Sequence, residues 1–566
     1  MNNKEFENLD KLLNFDNAKK DIILKNLFLT NSDYFINKDY NIDVSSDVYT
    51  DTNINKWAQE LPDLYGSKLL ILEFLNNPIN NKDILIKRQS SYINDSINFE
   101  ILKEYENDIL WIYKLNQEIN KDNAINILFP SSYFLYLINY FEPLLDSYHI
   151  YKIGFIPFSS IMYPLTSIFA PLCYINKYLK LNMSVYKYLN LMKKFIYMFL
   201  KPSGNIRVDI LKIIAFFIYV FLYIYNIYQT FEYSYILYKT KKTLHKKMSG
   251  VINFINEVKY IFNLISYKDI LSPYLKNIFN PSSLNCSNTM TNIYKYWKNN
   301  DIKNTIDSLL ISIYTIDIIN SISKLKNTSQ WNYPTYDKNI PTKIWDIKNP
   351  LLQKNQVSNP INLSKNIIIT GPNAAGKTTY VKSILSNIIL AQTFGIIYGI
   401  KGNIIIYDTI YSFMRISDEI GYKSYFEVEA EYCSKMINKA NELSKSNKNG
   451  LFLMDEPMHS TPPTEGMATA YAVGEYIGNL PHINIIITTH FHKLILLETN
   501  YPNKFINLSV EAIPNNNSFI FPYKIKKGYS YQCIAIELLS SKNFPDSVIK
   551  SAIEMKKIIY NNINSN

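Results

Sequence analysis

Arginine is almost missing from this chain. Of 59 basic residues only Arg88, Arg207 and Arg415 are not lysine, and glycine is low at 15 among 566 residues. Cysteine is sparse too. Cys173, Cys286, Cys433 and Cys533 stand far apart with no Cys-x-x-Cys pair, which excludes a disulfide scaffold and a thiolate zinc site and points to a reducing compartment. Residues 1–20 hold no apolar run of the kind that a secretory signal needs, and no fixed-period repeat is visible. What the chain does hold is 47% hydrophobic residues, with 47 Tyr and 30 Phe, a composition that excludes collagen and wholesale disorder. The length predicts about three or four domains. The net charge of +11 is nearly all lysine, in a composition also rich in Asn, Ile and Tyr. These types share AT-rich codons, so the charge says little about a polyanionic partner, for which arginine is the stronger mark. Asparagine runs such as 515–517 read as surface loops.

The first 340 residues read as mostly helical. Leu69, Leu70, Leu72, Phe74 and Leu75 make one apolar face before Pro78, and residues 101–121 predict a second helix. The middle differs: residues 153–176 and 213–231 carry no charge for 24 and 19 positions, close to the roughly 20 residues that cross a bilayer as a helix. Between them, residues 177–212 carry seven Lys and Arg207 against one acid, Asp209. Two readings stand open: buried core helices, or membrane contact through these two stretches. A spanning pair with its basic loop in the cytoplasm would put both chain ends on the far side; a re-entrant or interfacial insertion would not. Helical periodicity returns over 250–330, strongest at 306–322. Pro334, Pro341 and Pro350 then lead into alternating strand-like and helix-like segments, the pattern of an α/β domain.

Three motifs in that last part carry chemistry. At 367–379 an apolar strand runs into Gly371-Pro372-Asn373-Ala374-Ala375-Gly376-Lys377-Thr378-Thr379 and then a helix. This is the full phosphate-loop pattern in its confirming context. Backbone N–H groups and the helix dipole wrap phosphates, Lys377 neutralises their charge, and the Thr378 hydroxyl can bind Mg²⁺. Next, an apolar strand ends in Asp455-Glu456, where the first acid suits Mg²⁺ and the second can act as general base toward water. Third, the strand 485–489 ends in His490, placed to sense a terminal phosphate. Taken alone, each strand-end acid or histidine is as often a solvated loop; their order after a phosphate loop makes the functional reading the stronger one. Ser424, with Phe426 and Glu429 following, looks by itself like an ordinary helix start.

These pieces, in this order, resemble the MutS family of DNA mismatch-repair ATPases, relatives of the ABC-type ATPases. The Ile-Thr-Gly-Pro-Asn start of the phosphate loop, Ser424-x-Phe426-x-x-Glu429, Asp455-Glu456 with Thr461 and Glu465-Gly466, Thr489-His490 and a Phe-x-Arg415 setting carry the likeness over 343–560. A weaker likeness runs upstream, from Gly66 through Pro78 to Arg88-Gln89 and from Ile316-Asp317 to Asn349-Pro350. The resemblance implies a mostly α-helical MutS-core-like first part followed by an α/β P-loop ATPase domain of the ABC type. It implies an N-terminal extension at 1–60, a helical core and lever at 61–340 with a hydrophobic insert at about 150–235, the ATPase domain at 341–540, and a dimerising helical segment at 541–566. ATP with Mg²⁺ would be held by residues 371–379 and Asp455, with Glu456, His490 and Lys377 catalytic and Ser424 supplied in trans by a partner, either a second copy or another MutS-like chain.

The departures are as informative. Pro457-Met-His-Ser-Thr461-Pro stands where the family has Ile-Gly-Arg-Gly-Thr-Ser, Ala374-Ala375 where Met-Gly is usual, Gln532 in place of Gly, and Asn349 in place of His. The family's mismatch-reading Phe-x-Glu is absent from residues 1–340, and about 60 residues before the core are too few for the domain that carries it. The expected function is a MutS-like ATPase with a composite dimer site, coupled to double-stranded or branched DNA in repair or recombination, in a nuclear or cytoplasmic setting. The alternatives are a membrane-associated MutS-like ATPase and a nucleotide-dependent scaffold without mismatch recognition.

Overall fold

A computed structural model describes residues 17–35, 39–93, 96–118, 128–202, 205–352, 356–414, 425–460, 462–515, 518–532, 536 and 544–564. The chain divides into two compact units. One comprises Met1–Ile23, Ile101–Tyr260 and Pro281–Ile306; the other comprises Leu24–Glu100, Ile261–Asn280 and Asp307–Asn566.

The first unit is helical. A helical run from Glu142 passes through a π turn, Tyr151–Phe155, into α1 (Ile156–Lys177). It is followed by α2 (Val185–Leu200) and α3 (Ile206–Leu264). With 59 residues, α3 is about 88 Å long at 1.5 Å per residue. Its two halves obey different rules. From Leu237 onward an apolar stripe (Leu237, Leu244, Met248, Val251, Phe254, Ile255, Val258) is buried at helical spacing, and the ion pairs Lys241–Asp146 at 2.8 Å and Lys247–Asp108 at 2.6 Å brace it. Before Ser234 no described residue of α3 is buried. The second half is thus an amphipathic core helix, while the first half is apolar on all sides and uncovered.

That settles one of the two sequence readings. The uncharged stretches do not lie in the protein's own core: the apolar windows of Glu142–Lys177 and Ile206–Leu264 are 6% and 0% buried, whereas the similarly apolar helix Asn300–Lys326 is 94% buried. Periodicity cannot separate these cases, because an all-apolar helix reads the same inside a protein core and inside any other apolar surrounding.

The second unit is built on a mixed seven-stranded sheet. Its strands are β1 (Asp43–Val44), β2 (Asn366–Thr370), β3 (Thr409–Phe413), β4 (Gly450–Asp455), β5 (Ile483–Thr489), β6 (Phe505–Val510) and β7 (Ile525–Lys527), in the order β1-β3-β4-β5-β2-β6-β7. All neighbours pair in parallel except the antiparallel edge strand β7. All five residues of β2 are buried, as expected for a central parallel strand covered on both faces. On one face Ile368, Phe452, Met454, Ile485 and Ile487 pack with Met436, Ala440 and Leu443 of α6 (Tyr425–Lys445) and Ala470, Val473 and Ile477 of α7 (Pro463–Asn479). The helix α5 (Lys377–Phe394), buried along nearly its whole length, packs with helices Tyr65–Leu75 and Lys82–Ser90.

The helix Tyr65–Leu75 buries Leu70, Phe74 and Leu75 of the apolar face read before Pro78, and a buried charge joins these helices to α5. Arg88 is fully buried. Its Nε donates to Pro273 O at 3.1 Å, its Nη1 donates to Thr393 O near the end of α5, and its guanidinium lies 4.5 Å from the Tyr274 ring centre. Burial pushes its pKa down while the neighbouring tyrosines oppose that shift. The buried Asp317 carboxylate accepts the N–H groups of Asp63 and Leu64, just before Tyr65–Leu75, at 3.3 and 2.8 Å; burial raises its pKa to about 6. Replacing Arg88 by Met keeps the apolar stem and strips both carbonyls of their donor. Arg88→Met is expected to lower stability by about 2–4 kcal/mol, measured by urea unfolding; an unchanged unfolding midpoint would contradict the role given to this arginine.

Candidate active site

The parallel strands deliver their following loops to one end of the sheet, where doubly wound sheets bind ligands. The strand β2 ends at Thr370 and the chain turns at Gly371, whose φ is +146°. Any side chain there would collide with the Val510 carbonyl, so glycine is required sterically as well as conformationally. Ala374 and Gly376 also have positive φ, 64° and 96°, and α5 starts directly at Lys377. The loop therefore presents its backbone around a helix N-terminus, the arrangement that holds anions.

Strand register supplies the acid. In the parallel pairing of β4 with β5, Asp455 lies opposite Thr488, and the Thr488 hydroxyl donates to Asp455 Oδ1. The Thr378 hydroxyl donates to Asp455 Oδ2 at 2.8 Å. One carboxylate and one hydroxyl, both hard oxygen donors, thus meet beside the phosphate loop; that donor set fits Mg²⁺. Among the described residues no cluster of three or more His, Cys, Asp or Glu suits a metal by itself.

Glu456 is held differently. Its φ is 57°, a left-handed conformation that non-glycine residues rarely adopt and that marks functional sites. Its N–H donates to Thr488 O at 2.9 Å. Its Oε1 lies 2.7 Å from His490 Nε2 and 3.7 Å from Lys377 Nζ. His490 Nε2 also lies 2.6 Å from Asn373 Oδ1 and 3.2 Å from Lys377 Nζ. With its proton on Nε2 the imidazole donates to the Glu456 carboxylate. The hydrogen bond from His490, helped by Lys377, holds the Glu456 carboxyl below the usual carboxylate range against the opposing effect of burial. Its charge is thus lost only as pH falls below that range, and it is fully ionised at neutral pH. Lys377 is buried; its ammonium donates to Gly371 O at 2.9 Å and Pro372 O at 3.3 Å. Desolvation lowers its pKa, while Glu456 and Asp455 pull it back up.

Glycines 371 and 376, Asn373, Lys377, Thr378, Asp455, Glu456 and His490 thus converge, with Pro372 and the buried Ala375 in the same loop and Thr379 in the first turn of α5. Ser424, Arg415 and Thr461 lie outside the described residues. Of their neighbours, Phe426 is exposed in the first turn of α6. Glu429 is buried, and its carboxylate accepts both the N–H and the hydroxyl of Ser460. Gln532, where the family has glycine, exchanges hydrogen bonds of 2.8 and 3.0 Å with the backbone of Ala512. Asn349 caps its own turn by accepting from Leu351 N at 2.9 Å. A separate cavity of about 880 Å³ opens beside Asn366, Asn449 and Ile483 at the opposite ends of the strands and holds none of these motif residues.

Sequence reasoning missed Thr488 and Tyr523. The signal for Thr488 was its place two before His490, which pairing with β4 turns into a contact with Asp455. Tyr523 carried none: its ring lies 3.0 Å from where a side chain at Gly376 would begin, a contact made by a loop more than 140 residues away in the chain.

With this geometry stands a family match: residues 367–560 match the model of MutS domain V, the family's ATPase domain. This stretch of the chain is similar to the MutS ATPase domain. Relatives include DNA mismatch repair protein MutS of Acholeplasma laidlawii, 29% identical over 245 residues, covering 42% of this chain and 28% of that protein. The MutS proteins of Listeria welshimeri and Finegoldia magna are 28% and 29% identical over 274 and 267 residues, covering 45% and 46% of this chain and 31% and 30% of theirs. The matched stretch thus spans under a third of these relatives' length.

Removal of the Thr488 hydroxyl, as in Thr488→Val, takes one of two orienting donors from Asp455. The expected result is a roughly 10–100-fold weaker Mg²⁺ requirement constant for ATP binding, as for other groups that orient metal ligands. Titrating Mg²⁺ against a fluorescent ATP analogue measures it; an unchanged constant would contradict the assignment.

Proposed function

We propose that this chain is a MutS-type ATPase that binds Mg-ATP at residues 371–379 and hydrolyses it in a site completed by a second copy. The observation that supports this best is the convergence of Asp455, Glu456, Lys377 and His490 on one end of the sheet. Thr378 and Asp455 would hold Mg²⁺, which would supply positive charge to offset that of the phosphates. Lys377 binds the phosphate charge. Glu456, ionised and fixed by His490, accepts a proton from the attacking water, and His490 hands its N–H to the terminal phosphate. Ser424 and the stretch Thr461 to Glu465 act on the partner's nucleotide. The exposed Phe426 and Glu465 support this, since neither side chain is spent inside its own unit.

In this reading the chain comprises an extension at 1–60, a helical core and lever at 61–340, the ATPase domain at 341–540 and a dimerising helix within 541–566. The similarity to DNA mismatch repair proteins supports DNA as the partner whose binding the ATP cycle controls. Hydrolysis would switch the pair of ATPase domains between closed and open states and move the helical part.

Glu456→Gln keeps the side-chain volume and removes the base. The variant is expected to bind ATP with an affinity within about threefold of wild type while turnover falls by about 10²–10⁴-fold, the usual worth of general base catalysis. Phosphate-release and nucleotide-binding assays on the same preparation check this; equal turnover would reject the role of Glu456. Stimulation of turnover by duplex or branched DNA tests the partner, and its absence with every DNA form would reject DNA coupling.

A further inference from the structure

The uncovered half of the helical unit is bounded, polar-satisfied and basic at its ends. We propose that α1 and α3 insert into an anionic lipid bilayer as an antiparallel hairpin, with α2 lying on its surface.

The pairing of the two helices is fixed by side chain-to-backbone bonds. Tyr223 Oη donates to Ser160 O and Ile161 O, both at 3.2 Å; Thr230 Oγ1 donates to Ser160 Oγ at 3.1 Å; and Ser234 Oγ donates to Ile153 O. The helices therefore run antiparallel, with the Ile153 end of the first beside Ser234 and its Lys177 end toward Arg207. The uncharged stretches 153–176 and 213–231 overlap in this register. At 1.5 Å per residue they are about 36 and 28 Å long, against a hydrocarbon thickness of about 30 Å.

Proline gives the sharper clue. Pro164 has no N–H for Ser160 O, four residues before it, and Pro157 has none for Ile153 O. Those are two of the carbonyls that hydroxyls of α3 reach. Within α1 the hydroxyls of Ser159, Ser160, Thr166 and Ser167 each bond to a carbonyl three residues back in their own helix, at 2.7–2.9 Å. Water could satisfy all of these groups at an ordinary surface. Supplying them from a neighbouring helix is what a hydrocarbon surrounding requires, and it is how prolines are tolerated there.

Charge marks both limits of the band. Lys177, Lys180, Arg207 and Lys212 stand at one end; Lys152, Lys239, Lys241 and Lys242 stand at the other. Tyr174 and Tyr178 lie near the first limit and Tyr235 and Tyr238 near the second, all exposed, where aromatic rings settle at membrane–water boundaries. The helix α2 has no acid. Lys187, Lys193 and Lys194 share one side of it, while Leu189, Phe195 and Ile196 lie on the other and are exposed. This is the pattern of a helix lying in a headgroup layer, with its cations toward anionic lipid. The buried helix Asn300–Lys326 shows that this chain covers an apolar helix when it belongs to a core.

Flotation of the full-length protein on vesicles tests the proposal, without nucleotide. With phosphatidylcholine–phosphatidylserine vesicles the protein is expected to float, to resist alkaline carbonate, and to protect Cys173, exposed in α1, from a membrane-impermeant maleimide until detergent is added. Phe217→Asp combined with Phe221→Asp, at two exposed positions, is expected to cut the floating fraction at least tenfold while ATP binding stays as in wild type. Lys187→Glu with Lys193→Glu and Lys194→Glu is expected to abolish the preference for phosphatidylserine. Wild type that stays unfloated, a doubly substituted variant that floats as well as wild type, or Cys173 equally protected in vesicle-free oligomers, where a second copy covers the band, would each overturn it. Lys377→Ala is expected to float normally, so failure of the ATPase reading and failure of this one are separable.

Discussion

The pairing of Asp455 with two hydroxyls is the constraint on which the site depends. Thr378 comes from the start of α5, Thr488 from the adjacent strand, and the carboxylate from β4 between them in function. Each contact needs the parallel register of the sheet, in which Asp455 lies opposite Thr488 and Thr489 opposite Thr370. A slip by one residue would turn these side chains to the other face. The long apolar strands are therefore more than core: their alternation aims one acid, one hydroxyl and one imidazole at the same point.

From that point the chemistry follows by charge. Asp455 and Glu456 are neighbours in sequence but are held apart by the left-handed backbone at Glu456. One turns toward the hydroxyls that suit a cation, the other toward His490 and Lys377. Two neighbouring carboxylates thereby acquire different partners. Arg88 secures the same unit from behind, joining α5 to the helices that precede it.

Much of this was legible in the sequence. The phosphate loop, the acidic pair and the strand-end histidine each combine a local signal with a spacing, and strand, loop and helix fell where those signals put them. The helix Tyr65–Leu75 was legible from its apolar face. What was not legible required three dimensions. Thr488 matters through strand pairing, and Tyr523 through a loop distant in the chain. For residues 153–231 the sequence left burial and exposure open, because helices without a polar face have no direction to read. The structure shows that these stretches pair with each other through Tyr223, Thr230 and Ser234 and lie outside the protein's own core. The family match covers residues 367–560, and the helical unit has to be understood from its own chemistry.

The central claim is that this chain carries a complete nucleotide-hydrolysing site despite its departures around Pro457 and Ala374. Steady-state phosphate release by the purified full-length protein, with Mg²⁺ and then with the cation chelated, tests it most directly. The account requires ATP turnover that disappears on chelation and returns when Mg²⁺ is restored. Tight ATP binding with no phosphate release under either condition would contradict it and leave a nucleotide-dependent scaffold.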